Sequence, residues 1–204
     1  MSEFTLYHTV TSPYARIVLA VVHEKNLVNK VSLVEAKTRV EGSSYYEINP
    51  SGRVPYLVRE SDGMDYEDSS LIVDILDKES GSEQFGYSEG EVGITERRAE
   101  AQARSLLDGL AVWARESRRP GAEQSETIIS HERARATRMT RFFEGEIKEP
   151  PYNKDSLNIV QLTLFVALDL ERRPFGFDWR TDCPRLSEWK DRMAGRPSIR
   201  AICL

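Results

Sequence analysis

Asn49-Pro50-Ser51-Gly52-Arg53-Val54-Pro55-Tyr56-Leu57-Val58, followed by Asp62-Gly63 and then by Glu67-Asp68-Ser69-Ser70-Leu71-Ile72-Val73-Asp74-Ile75-Leu76, decides how this chain folds. A loop closed by proline leads into an apolar run, an Asp-Gly turn reverses the chain, a second strand returns, and a helix opens on acids and hydroxyls. Pro55 has no amide to give to a sheet ladder, so it belongs at the first residue of the strand or at a bend. A cis Val54-Pro55 bond would leave Val54 free to offer its own backbone groups to a ligand.

The helix start forms a second half of the same corner. Asp68, Ser69 and Ser70 are all N-cap residue types, and Leu71, Ile72, Ile75 and Leu76 recur at helical spacing. A helix N-terminus exposes unpaired amides and a positive dipole end, which together hold a carboxylate. Asp68 beside it can pair with an ammonium group, so the corner suits an amino-acid end-group, which carries both charges.

Toward the N-terminus, Phe4-Thr5-Leu6-Tyr7 reads as a short strand and His8-Thr9-Val10-Thr11 as a loop. Ser12 to Val22 reads as a helix with serine as N-cap and Pro13 in the first turn. The opening is therefore β-loop-α. Toward the C-terminus, four glycines and three serines between Ser80 and Gly93 mark a connection, giving domains at 1–80 and 94–204 with a linker at 81–93.

The second half reads as all-α. Ala99, Ala103, Leu106, Leu107, Leu110, Trp113 and Ala114 follow one helical stripe, and Ile128, Ile129, Met139, Phe142, Phe143 and Ile147 mark another. Leu157 to Leu170 is the longest apolar stretch, but Asn158, Gln161, Thr163 and Asp169 interrupt it and a membrane span needs ~20 mostly apolar residues. It is predicted as a buried core helix with Asp155-Ser156 at its N-cap. Beyond Cys183-Pro184 a short helix carries Leu186, Trp189 and Met193, and Gly195-Arg196-Pro197-Ser198 reads as its stop.

The loop Asn-Pro-x-Gly-x-Val-Pro-x-Leu, the run Asp68-Ser69-Ser70-Leu71-Ile72 and the opening Ser12-Pro13-Tyr14-Ala15-Arg16, in this order, resemble the glutathione S-transferase superfamily. The last of these is similar to the opening of its serine-type and many bacterial members. The resemblance covers nearly the whole chain and is densest over residues 4 to 76. It implies an α/β thioredoxin-like N-terminal domain (βαβ-αββα) followed by an all-α helical-bundle C-terminal domain. It also implies glutathione as co-substrate, a small electrophilic partner, and a homodimer. One departure is local: the family's usual aspartate three residues after the serine of Asp155-Ser156 is here Ile159, so a capping contact is expected to be absent.

By the same resemblance Ser12 is the leading thiol-activating residue, with Tyr7, Thr9 and Thr11 as the other hydroxyls of the strand and loop. A free thiol has a pKa near ~8.5, so little of it is thiolate at neutral pH. A hydroxyl hydrogen bond and the positive end of the helix both favour the anion, and lowering the pKa by two units needs roughly 2.7 kcal/mol. Glutathione would lie along Val54 and Pro55, its γ-glutamyl end at Asp68 and Ser69 and its glycine carboxylate near Lys37, Arg39 or Arg53. The helical domain would supply the acceptor pocket. Conjugation, a different glutathione-dependent outcome (isomerisation, dehalogenation or ether cleavage) and a non-catalytic binding role all stay open, because a fold does not fix a function.

Composition narrows the classes further. Two cysteines, Cys183 and Cys203, lie far from the Ser12 loop, which leaves thioltransferase chemistry without a nucleophile. Together with three scattered histidines they form no metal-ligand pattern, so no metal is expected. A net charge of −5 argues against nucleic acid or an anionic membrane as partner. With 204 residues, 40% of them hydrophobic, a core can be filled. Met1-Ser2-Glu3-Phe4 lacks the basic and apolar regions of a secretory signal, so a cytoplasmic location is expected.

Overall fold

A computed structural model describes residues 2–203. The chain divides after Gly86 into two units. In the first, strand β1 (Phe4–His8) is followed by helix α1 (Pro13–Glu24), strand β2 (Val31–Glu35), the short helix α2 (Tyr45–Ile48), strands β3 (Tyr56–Arg59) and β4 (Asp65–Glu67), and helix α3 (Ser69–Glu79). The sheet order is β2-β1-β3-β4. β1 runs parallel to β2 and antiparallel to β3, which pairs antiparallel with β4. This is the thioredoxin-like βαβ-αββα arrangement.

The register follows from alternation. Phe4 and Leu6 are buried while Thr5 and Tyr7 are only partly so, as the two-residue period of a strand requires. α1 packs on α3, which also meets β3 and β4. Ile17, Val18 and Val21 of α1 and Ile72, Val73 and Leu76 of α3 are buried there. Fully burying such side chains contributes about 1.5–3 kcal/mol each. Leu71 is exposed and Ile75 half-buried, because the α3 stripe is centred on Ile72 and Leu76. A second small cluster gathers Ala36, Tyr45 and Tyr56, with Tyr7, Tyr46, Val54 and Val58 packed against it.

The second unit is helical: α4 (Gly90–Glu116), α5 (Glu126–Glu146), α6 (Ile159–Leu168), α7 (Pro184–Ala194) and α8 (Pro197–Arg200), with short 3₁₀ turns between some of them. α4 packs on α5 and α6, and α7 on α5, α6 and α8. Every residue of α6 is buried. The stripe from Ala99 to Ala114 is buried along α4, and α5 buries Ile129 and Phe143 while Ile128 is exposed. α4 begins at Gly90, and Gly93 is required by packing: a Cβ there would stand 1.8 Å from the Ser88 carbonyl oxygen.

One expectation for the helical half is corrected. α6 is capped by Asn158, not by Asp155-Ser156. Asn158 Oδ1 accepts from Gln161 N (2.9 Å) while Gln161 Oε1 accepts from Asn158 N (3.0 Å), a complete capping box two residues beyond Ser156. α7 ends at Ala194 with Gly195 as its C-cap, at the predicted stop, and the four-residue α8 opens separately with Pro197 in its first turn. Among the described residues no helix is long and apolar enough to cross a membrane.

Candidate functional site

Ser12 caps α1. Its backbone is extended (φ −75°, ψ 117°), Pro13 follows in the first turn, and its Oγ accepts from Ala15 N at 3.2 Å. The same hydroxyl donates to the Val54 carbonyl at 3.4 Å. That contact joins the first loop of the chain to the loop before β3, across 42 residues of sequence. At 3.4 Å it is long for an O–H···O bond, whose usual length is near ~2.7–2.8 Å, so the proton is weakly held.

The loop before β3 is fixed from below. Asn49, buried, accepts from Ser51 N through Oδ1 (3.0 Å) and donates through Nδ2 to the Arg53 carbonyl (3.0 Å). Tyr45 donates its hydroxyl to the same carbonyl at 2.5 Å. Burial raises the Tyr45 pKa, so the phenol stays a donor at any physiological pH. Gly52 has φ 64°, and a Cβ on it would meet the Tyr46 ring at 2.6 Å. Val54-Pro55 is cis.

The β3–β4 hairpin carries the geometry onward. Tyr56, which directly follows Val54-Pro55, pairs with Glu67, which directly precedes Asp68-Ser69. Asp68 has φ 82° and ψ 127°, a backbone conformation that costs a non-glycine residue about 1–3 kcal/mol and clusters at functional sites. Its Oδ1 accepts from Ser70 N at 2.8 Å, capping α3. Asp68 is exposed and Ser69, the first helical residue, is buried.

Ser12, Val54, Pro55, Asp68 and Ser69 therefore meet in one region of the first unit. The other candidates lie around it. β1 extends through His8, one residue beyond the predicted strand, which puts Tyr7 inside the sheet. Tyr7 pairs there with Tyr56, and its ring lies 5.6 Å from that of Tyr45 and 6.4 Å from that of Tyr56. Thr9 is half-buried and accepts from Ser12 N through its carbonyl; Thr11 is exposed. Lys37 and Arg39 are exposed on the segment after β2, and the Arg53 side chain is exposed although its backbone is held at both ends. His8 pairs across the sheet with Glu35; burial pulls the imidazole pKa down, and Glu35 only partly opposes it.

Sequence reasoning took Asn49 as part of a loop pattern and passed over Tyr45. Both are the loop's structural supports. The Asn-Pro start was the available signal, because an asparagine that turns its side chain onto the amide two residues on is an Asx turn. Nothing local announced Tyr45, which reaches the Arg53 carbonyl from another element. Among the described residues no group of three or more His, Cys, Asp and Glu could hold a metal ion, and Cys183 is buried with its thiol pKa raised by desolvation.

Chemically, the region offers a hydroxyl at the positive end of α1, a backbone edge at Val54, and a helix start with an adjacent carboxylate at Asp68. These are complementary to a thiol, an extended peptide and an amino-acid end-group respectively. Comparison with known proteins points the same way. Residues 6–84 match the glutathione S-transferase N-terminal domain. The chain is 25% identical over 195 residues to the uncharacterized GST-like protein YibF of Escherichia coli, covering 95% of each. It is also 25% identical over 214 residues to glutathione S-transferase 2 of Saccharomyces cerevisiae, covering 98% of this chain and 89% of the yeast protein. Among solved structures, a glutathione transferase family member from Pseudomonas fluorescens Pf-5 with bound glutathione superposes with a TM-score of 0.87 at 25% identity over 98% of both chains. The first unit thus matches the glutathione S-transferase N-terminal domain, and the chain as a whole is similar in sequence and fold to glutathione transferases along its full length.

Proposed function

We propose that the protein is a glutathione transferase, which binds glutathione in the first unit and activates its thiol as thiolate for attack on a small, hydrophobic electrophile. The observation that carries this is the approach of the Ser12 hydroxyl to the Val54 carbonyl at 3.4 Å. It sets the thiol-activating candidate beside the backbone edge that would receive the cysteine of the tripeptide. A thiolate is a stronger acceptor than a carbonyl, because charge-assisted hydrogen bonds are roughly twice as strong as neutral ones. The long, weak bond to Val54 would therefore yield to the sulfur, and the first-turn amides of α1 would add their dipole. The γ-glutamyl end would pair its ammonium with Asp68 and its carboxylate with the α3 start, and Lys37, Arg39 or Arg53 would meet the glycine carboxylate. The protein would act in the cytoplasm as a homodimer, in detoxification.

A second function is favoured by one observation. The Ser12 hydroxyl already caps α1 by accepting from Ala15 N and directs its proton at the Val54 carbonyl, an arrangement that needs no thiol and suits a non-catalytic glutathione-binding protein.

Calorimetric titration with glutathione, read together with ultraviolet thiolate absorbance at neutral pH, separates the two. Comparison of wild type with Ser12→Gly is the sharpest form, because glycine retains most of the capping energy and loses only the hydroxyl. For the transferase, Ser12→Gly keeps glutathione affinity within a few-fold and loses the thiolate signal, with turnover of an aryl halide falling about 10- to 100-fold. Wild-type binding without any thiolate signal would favour the non-catalytic role. An unchanged signal in the variant would move the chemistry to Tyr7, Thr9 or Thr11.

A further inference from the structure

We propose that Ser51 and Glu67 form a clamp that joins the two halves of the glutathione site and holds both in the geometry that receives the γ-glutamyl end; this rests on the function proposed above. Ser51 Oγ donates to Glu67 Oε2 at 2.6 Å and accepts from Arg53 N at 3.1 Å. One hydroxyl thus ties the loop that ends at Val54 to the strand that ends beside Asp68.

Each half needs such a tie for its own reason. Asp68 sits at φ 82°, and a strained residue persists only where its surroundings over-determine it. Three restraints meet around it: its own carboxylate on Ser70 N, the ladder pairing of Glu67 with Tyr56, and the Glu67 carboxylate on Ser51. On the loop side, the Arg53 carbonyl is held by Tyr45 and Asn49 while the Arg53 amide is held by Ser51 alone among the bonds described. Freeing Ser51 from Glu67 loosens the peptide that precedes Val54 and the residue that precedes Asp68 in one step. The clamp also occupies one of two adjacent carboxylates, so that Glu67 is engaged with Ser51 while Asp68 remains the acid for the ligand ammonium.

Both residues are at the surface, where a single hydrogen bond adds little to global stability. Their effect belongs to ligand recognition, which makes them positioning residues. The test uses the full chain as wild type, Ser51→Ala, Glu67→Ala, the double variant and Ser51→Thr. Glutathione affinity is read by calorimetry, melting temperature by circular dichroism, and amide exchange at Ser69 and Ser70 without ligand. Each alanine variant is expected to weaken glutathione binding roughly five- to tenfold, with the double variant no weaker than either single one. Ser51→Thr, which keeps the hydroxyl, restores binding to within about twofold of wild type. Exchange at Ser69 and Ser70 speeds up in the alanine variants while melting temperatures hold. Wild-type binding with singles that bind normally, or with a double loss equal to the product of the single losses, overturns the clamp and leaves the transferase standing. Loss of binding that follows a collapse of the melting temperature also overturns it. A wild type that binds no glutathione removes both proposals together.

Discussion

Gly52 shows how much of the site hangs on single residues. Its φ of 64° is open to glycine at no steric cost, and an added Cβ would press on Tyr46 at 2.6 Å. Neither problem is relieved by a rotamer change at Gly52 itself. Gly52→Ala is therefore expected to destabilise the protein by about 1–3 kcal/mol and to weaken glutathione binding, since the Val54 peptide would shift with the loop. Paired urea melts and glutathione titrations check this, and wild-type affinity in a destabilised variant would show that the loop does not position the ligand. This position was legible in the sequence as a glycine within a patterned loop. The reason for it was not, because Tyr46 reaches the loop from α2 and no local spacing encodes that approach.

The elements were legible where periodicity was strong and misread where caps compete. α6 was recognised from its apolar content, yet three polar candidates precede it, at Asp155, Ser156 and Asn158, and any of them is a good N-cap residue type. What selects Asn158 is Gln161, whose side chain closes the capping box and whose Nε2 also donates to the carbonyls of Tyr152 (3.0 Å) and Lys154 (2.8 Å). Gln161 thus serves the helix start and the segment leading into it. Asn158→Ala is expected to cost about 1 kcal/mol, the usual value of a cap. Gln161→Ala should cost more, about 2 kcal/mol, since it strips one capping acceptor and removes a donor from the carbonyls of Tyr152 and Lys154. Chemical denaturation of the two variants ranks them; equal losses would mean that solvent replaces Gln161 at both carbonyls. The same logic explains Leu71. Spacing alone admits it to the α3 stripe, and only the packing against α1 and the hairpin fixes which side of the helix faces inward.

At the scale of the whole molecule, the order strand, helix, strand, hairpin and helix followed by a helical half was recovered, because turns, caps and apolar periods are local. Long-range charge placement was not. Lys25 of the α1 C-cap and Asp77 of α3 form an ion pair at 3.0 Å with both side chains almost fully buried, and Asp77 also accepts from Gln84 N and Phe85 N. Lys25 donates in turn to the Ser82 carbonyl, so the chain leaving the first unit is pinned to it. Asp77→Ala strands a buried ammonium and is expected to cost about 3–5 kcal/mol in urea melts. In the second unit, acids play the corresponding part. Burial pushes the Glu96 carboxyl up, but Lys154 Nζ at 2.6 Å and Ser88 N at 2.7 Å outweigh it and hold the pKa below the ordinary 4.5. Glu144 is likewise raised by burial and brought lower on balance by the amides of Leu186 and Arg185 and the Arg185 guanidinium. Because both folded-state values are depressed, the unfolded chain takes up protons first as pH falls. The stabilisation is therefore whole above pH 4.5 and drains away as pH drops through the folded values. The Glu96→Gln, Glu144→Gln double variant should start less stable at pH 7 and lose less on acidification. Urea midpoints measured from pH 7 down to about 3 test it, and parallel curves for variant and wild type would show that other carboxylates govern the acid limb.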